Sequence, residues 1–206
     1  MGKEISKQHE LHKLEELPPL SDYEFNVYNR LAVRMDRFHE RFRHMWNMLY
    51  TAADTQKRPS NLSLKQFIET GKRALGGSCL ACTNAFLAAQ GIQFVDNLEG
   101  HHGIEERYIF PILAEKMPEF RTDTGDEAAA ELLQQHEEIH SGMTAMREYL
   151  IACRYGDTEF QFKTLKERMD SWGETLLKHL NQEVKVLGAE SMRRYWTIEE
   201  IAEFPF

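Results

Sequence analysis

Histidine recurs on four separated stretches of this chain, 37–46, 100–110, 132–143 and 176–187, and in each the apolar periodicity of a helix turns it inward. Five of these histidines stand with two glutamates at i+4 spacing. The candidates are His39, His102, Glu106, His136, His140, His179 and Glu183. A core that buries so many imidazoles and carboxylates unpaired loses several kcal/mol per charged group, so the fold must supply a compensator along with its apolar packing. Imidazole and carboxylate together are ligands of intermediate transition metals, and a metal pair would satisfy all seven.

Rotation of about 100° per residue tests that placement. In a first helix Met35, His39, Phe42, Trp46 and Leu49 fall within roughly a 90° sector, with His44 on nearly the opposite side. In a second, Val95, Leu98, His102, Glu106, Ile109 and Leu113 make a stripe about 80° wide, and His101 lies about 100° from His102. Leu132, His136, Ile139, His140, Met143 and Leu150 share a face of a third helix. Leu165, Trp172, Leu176, His179, Glu183 and Val186 share a face of a fourth. His9, His12, His44 and His101 are set aside.

Capping and stop signals divide the chain the same way. Ser21 with Glu24 is a capping box opening a helix to about Ala53. Ser63 with Gln66 opens a shorter helix, and Ser78 begins a long one that reaches about Met117 and stops at Pro118. Pro111 inside it lacks a hydrogen-bond donor, which predicts a kink just beyond the ligands. Asp123 or Thr124 caps a third helix closed by Gly156, and Asp157 or Thr158 caps a fourth closed by Gly188. No period-two alternation supports a strand.

With 206 residues, 42% of them hydrophobic, the chain has material for one core. We expect a single all-α domain over 1–206: a bundle core at about 24–190, an N-terminal arm at 1–20, an extended connection at 54–78 and a C-terminal tail at 191–206. The tail's Tyr195, Trp196, Phe204 and Phe206 are expected to pack over one end of the bundle. A net charge of -8 disfavours nucleic acid and anionic membrane surfaces as partners. The N-terminus has no signal-peptide apolar core, and no stretch reaches membrane-spanning length. Cys79, Cys82 and Cys153 are sparse and odd in number, which fits reduced thiols and a cytoplasmic location.

The segments HHGIEERYIFPIL, LLQQHEEIH and HLNQE resemble the helix motifs of the hemerythrin family and its HHE cation-binding relatives, over about residues 24–190. The resemblance implies an antiparallel up-down four-helix bundle holding two non-haem irons joined by an oxo or hydroxo bridge. It implies one iron on His136, His140 and His179, the other on His39 and His102, and Glu106 and Glu183 as bridges. Five imidazoles, two bridging carboxylates and the oxo bridge then fill roughly eleven of twelve octahedral positions. The open position lies beside His39 and His102, where dioxygen or a similar small ligand binds. Glu183 follows His179 at i+4, where the oxygen carriers place an aspartate one residue later, so the chain looks closer to the broader HHE group. The implied function is a di-iron protein that binds dioxygen or another small oxidant, or that handles or senses iron.

Other readings compete. A di-iron oxidase or oxygenase uses the same ligands and adds room for a substrate beside the open iron. The HEEIH at 136–140 matches the HExxH of zinc proteases, with Glu137 as base, but it leaves His39, His102 and Glu106 unexplained and finds no strand to edge a cleft. Ferritin-like centres use more carboxylates, and no Glu-x-x-His pair supplies an inward ligand of that kind except Glu137 with His140. The pair Cys79-x-x-Cys82 has no second pair to complete a zinc site.

Overall fold

Ser21 begins the ordered helices as its sequence predicts. Its hydroxyl accepts the Glu24 N–H at 3.3 Å, and the Glu24 carboxylate accepts the Ser21 N–H at 2.8 Å. The computed structural model describes residues 17–57, 79–121 and 127–205. The described helices are α1 (Asp22–Tyr28), α2 (Arg30–Thr55), α3 (Cys79–Ile104), α4 (Phe110–Ala114), α5 (Glu127–Tyr155), α6 (Phe162–Asp170), α7 (Gly173–Val186), α8 (Ala189–Met192) and α9 (Ile198–Glu203). A π-helical turn, Glu105–Ile109, joins α3 to α4, and a 3-10 turn spans Pro118–Phe120. No strand occurs among the described residues. The Ser63–Gln66 signal, the Asp123 and Thr124 caps, residues 1–16 of the arm and the thiols of Cys79 and Cys82 lie outside what is described.

The first predicted helix is interrupted at Asn29, whose side chain turns outward from the helix ladder to accept the Ala189 N–H at 3.2 Å. That contact ties the start of α8 to the α1–α2 junction. The π turn has a comparable local cause. In a regular helix the Pro111 ring would crowd the carbonyl of Arg107 and could not donate to it. Here the ladder slips by one residue instead, and the Phe110 N–H donates to the Glu105 carbonyl.

The third long helix ends as its sequence predicts, at Gly156 with φ +82°. The fourth starts later than the Asp157 or Thr158 cap implies. Residues 157–161 stay non-helical because the Tyr149 hydroxyl accepts the Gln161 N–H at 2.7 Å and donates to its carbonyl at 3.0 Å. That helix is also cut in two at Trp172, whose φ of -141° points its indole between α2 and α5. The indole lies edge-on to Trp46 with ring centroids 4.9 Å apart. A Cβ at Gly142 would overlap the Trp172 ring, so glycine there is the condition for this close approach.

Packing closes a ring: α2 touches α3, α6 and α7, α3 touches α5, and α5 touches α6 and α7. Inside the ring the apolar residues separate into two clusters. One holds Phe42, Trp46, Leu49, Phe94, Leu98, Met143, Met146, Trp172 and Leu176. The other holds Leu31, Met35, Ile109, Phe110, Leu113, Leu132, Leu187, Met192, Trp196 and Ile201. Each long helix crosses from one cluster to the other, and the buried His39, His102, Glu105, His136, His179 and Glu183 occupy the gap between them.

The aromatic tail packs as expected: Trp196 is buried in the second cluster and meets Phe204 edge-on at 4.9 Å, while Phe206 lies outside the described residues. Lys116 Nζ sits 4.8 Å from the centre of the Trp196 ring. Arg193 donates to the Pro18 and Leu17 carbonyls at 2.6 and 3.1 Å, fixing the described end of the arm against α8. No helix among the described residues is long and apolar enough to cross a membrane.

Gly142→Ala is expected to lower stability by about 1–3 kcal/mol through overpacking against Trp172. Chemical denaturation reads this as a lower midpoint at unchanged slope, and an unchanged midpoint would mean that the indole has room to retreat.

Candidate metal centre

Burial sorts the polar residues of the gap. The side chains of His39, His102, Glu105, His179 and Glu183 are essentially inaccessible, and those of His136 and His101 are 5% and 10% exposed. Two sets of ligand atoms converge, each set within 4.8 Å: His39, His101, Glu105 and Glu183 in one, and His102, Glu105, His136 and His179 in the other. Glu105 belongs to both. Its Oε1 lies 2.7 Å from His101 Nε2 and its Oε2 lies 3.9 Å from His136 Nε2. Glu183 Oε2 likewise stands 3.3 Å from His39 Nε2 and 3.6 Å from His179 Nε2. Each carboxylate therefore reaches one imidazole of each half.

The chemistry of these atoms fits divalent metal. Both oxygens of Glu105 and Glu183, both ring nitrogens of His102 and His179, and the Nε2 atoms of His39, His101 and His136 are buried without a hydrogen-bond partner. Buried polar atoms are rarely left so, and here they face one another. Lone pairs that approach without hydrogen-bond direction are arranged as they would be around a shared cation. Two of the outward-facing nitrogens do have partners. His39 Nδ1 donates to the Leu180 carbonyl at 2.8 Å, and His136 Nδ1 donates to Glu106 Oε1 at 2.9 Å. Such outer contacts fix the tautomer that leaves Nε2 free for metal.

Five of the seven residues picked out by sequence meet in this cluster: His39, His102, His136, His179 and Glu183. The other two lie at its edge. The Glu106 side chain is 44% exposed and that of His140 37% exposed. There Glu106 Oε1 receives His140 Nε2 at 3.0 Å in addition to His136. Glu106 with His136 and His140 makes a third, more exposed group with ligand geometry. His101 and Glu105, which the sequence stripe left outside, face inward. The reason is the π turn, which slows rotation so that residues before and after it do not share one α-helical phase. Phased only on the buried Phe94, Val95 and Leu98, the inward sector takes His101, His102 and Glu105, and Glu106 lies about 80° from Leu98. The Phe110–Pro111 step was the sequence signal for that slip.

Without cations the electrostatics conflict. Burial, reinforced by the charges of Glu183 and Glu106, pushes the Glu105 carboxyl well above its usual range. Burial also opposes ionisation of Glu183, but the contact with His39 and the neighbouring imidazoles outweigh it, and its pKa falls below the usual value. Burial lowers His101 to about 4 and His179 to about 3, and it lowers His102 as well. These imidazoles stay neutral at pH 7, the form in which they can ligate metal.

Beside the His101 half lies a cavity of about 530 Å³ between α2 and α3. Its walls include Met35, Phe38, Phe42, Met45 and Ile104, and His101 lines it too. The His101 ring lies 5.5 Å from Phe38 and 5.0 Å from Phe42, centroid to centroid.

A buried histidine that refuses a proton destabilises the folded state relative to an unfolded chain that accepts one, in the window between its folded and unfolded pKa values. Metal-free protein is therefore expected to lose thermal stability as pH falls from about 6.5 toward 4, through His101, His102 and His179. Glu105, with its raised pKa, works against this, because the folded state holds its proton above the usual carboxyl range. Unfolding temperatures of chelated protein across that range check the net sign, and a rise on acidification would contradict it.

Residues 30–190 match the family described as Hemerythrin HHE cation binding domain. A curated relative, "Dimeric xanthone biosynthesis cluster protein R11" of Cryptosporiopsis sp. (strain 8999), is 29% identical over 112 residues. That alignment covers 52% of this chain and 40% of the relative's length. No solved structure matches significantly. The match spans most of the chain and brackets every residue of the cluster, and the chain belongs to the hemerythrin HHE cation-binding family.

Proposed function

We propose that this protein holds two irons and takes dioxygen or another small oxidant at one open metal position. The observation that carries the proposal is the pair of buried carboxylates, Glu105 and Glu183, each set between the His39 and His101 half and the His102, His136 and His179 half. In our assignment Glu105 and Glu183 bridge, and the five imidazoles divide two and three. With an oxo or hydroxo bridge this still fills roughly eleven of twelve octahedral positions and leaves the vacancy beside His39 and His101. Iron, when bound, would supply reversible redox chemistry. The chain supplies an apolar cluster on either side that excludes water, and Glu106 and Leu180 hold ligand rings in place.

The scaffold in this reading is one domain, an antiparallel up-down four-helix bundle. The order of the two apolar clusters supports it, since α2 and α5 meet the tail-side cluster first and α3 and the α6–α7 pair meet it last. A second reading, a di-iron oxidase or oxygenase, is favoured by the cavity beside His101. The relative's name, which places it in a biosynthetic cluster, points the same way.

Anaerobic loading should give about two irons per chain, as expected of a bundle-core di-iron site, and exposure to oxygen should produce an oxo-bridged absorption band. Stoichiometric zinc with no iron in protein purified from its native source would sink the proposal. Glu105→Ala and His101→Ala should each lower metal affinity at least as strongly as loss of an outer partner, which costs roughly 10- to 100-fold. His140→Ala should leave iron content nearly intact. Loss of iron from His140→Ala with retention by His101→Ala would instead favour the ligand set implied by family resemblance.

A further inference from the structure

The cavity between α2 and α3 is apolar on its inner walls and cationic at its mouth. Leu31, Met35, Phe38, Phe42 and Met45 repeat every three or four residues along one face of α2, opposite Gly100, His101 and Ile104 of α3. Arg34 and Arg41, both exposed and two turns apart along α2, also line the cavity. Neither arginine has an ion-pair partner among the described residues, whereas nearby Arg43 is held by Asp36 and Glu40. The acidic group in the wall, Asp96, is engaged by Arg147 at 2.7 Å. Two unpaired guanidinium groups thus flank an apolar opening in a chain of net charge -8.

We propose that this cavity binds an aromatic organic anion, a planar carboxylate or phenolate, with its ring inside and its charge at Arg34 and Arg41. The walls favour an aromatic body: Phe38, Phe42 and His101 present rings, and Met35 and Met45 present polarizable sulfur. Planar guanidinium groups suit a carboxylate by geometry as well as charge. The volume lies within the range of cavities that enclose small organic ligands. Phe38 and Ile104 are 41% and 54% exposed, so apolar surface at the entrance is available to be covered. His101 lines the cavity, so a ring held against it lies beside the open metal position. This last point rests on the di-iron reading; the binding itself does not.

The test uses the full chain, both chelated and iron-loaded, titrated calorimetrically with 2-naphthoate, its uncharged analogue 2-naphthamide, and decanoate. Metal content is measured on the same samples. Naphthoate should bind about tenfold or more tighter than the amide, the effect of a charge-assisted hydrogen bond. The Arg34→Gln/Arg41→Gln double variant should remove that preference while leaving the amide unchanged. A Cβ at Gly100 meets nothing within 4 Å, so Gly100→Phe can fill the space and should abolish binding of both. Equal binding of acid and amide, a preference for decanoate, or naphthoate binding that survives Gly100→Phe would each overturn the proposal. Naphthoate binding by a chain that takes no iron would support the cavity assignment while refuting the di-iron reading. Iron loading without naphthoate binding would do the reverse. In loaded protein naphthoate should perturb the iron absorption band, and an unperturbed band would overturn the placement against His101.

Discussion

Two carboxylates with no accessible surface and no hydrogen-bond donor at either oxygen set the terms for the rest of this molecule. A buried carboxylate left ionised costs far more than one helix packing contact returns, and here two carboxyl groups share one layer with His101, His102 and His179, which burial holds neutral. The apolar clusters on either side cannot relieve that cost; they increase it by keeping water out. Cations held between these groups would relieve it, and the interior is organised as a polar layer between two oily ones. Each long helix contributes to all three layers, so ligand geometry and bundle register are one constraint.

Several local irregularities serve that layer. The π turn lets a helix that contains Pro111 bury Ile109 and Leu113 although His101, His102 and Glu105 before it have already set the inward side. The break at Trp172 separates α6 from α7, and its indole lies against Trp46 and Phe94. Gly142 makes room for that indole. Gly142 and Trp172 lie outside the proposed ligand set, yet the packing they fix stands at the start of the helix that carries His179 and Glu183.

Helix content, the Ser21 box, the Gly156 stop and most of the cluster were legible in the sequence because each depends on local spacing. His39, His136, His179 and Glu183 lie on uninterrupted α-helical segments, where a rotation of about 100° per residue holds. His101 and Glu105 were not legible by that rule, because Ile109 and Leu113 beyond the π turn helped to set the phase. The delayed start of α6 was hidden for another reason: it is imposed by Tyr149, a dozen residues away and on another helix. The family resemblance predicted two metals bridged by paired carboxylates; which glutamate of Glu105 and Glu106 turns inward is a matter of backbone geometry that pattern alone does not carry.

The edge contact between Glu106, His136 and His140 makes the two sides of the cluster unlike. Glu106 and His140 are partly open to water on the α5 side of α3, while the cavity reaches His101 from the α2 side. The two halves of the cluster therefore have outer neighbours of different character, one an apolar and cationic cavity and the other a hydrogen-bonded carboxylate at the surface. A change at the cavity wall and a change at Glu106 would thus reach the cluster from opposite sides of α3, the first through His101 and the second through His136.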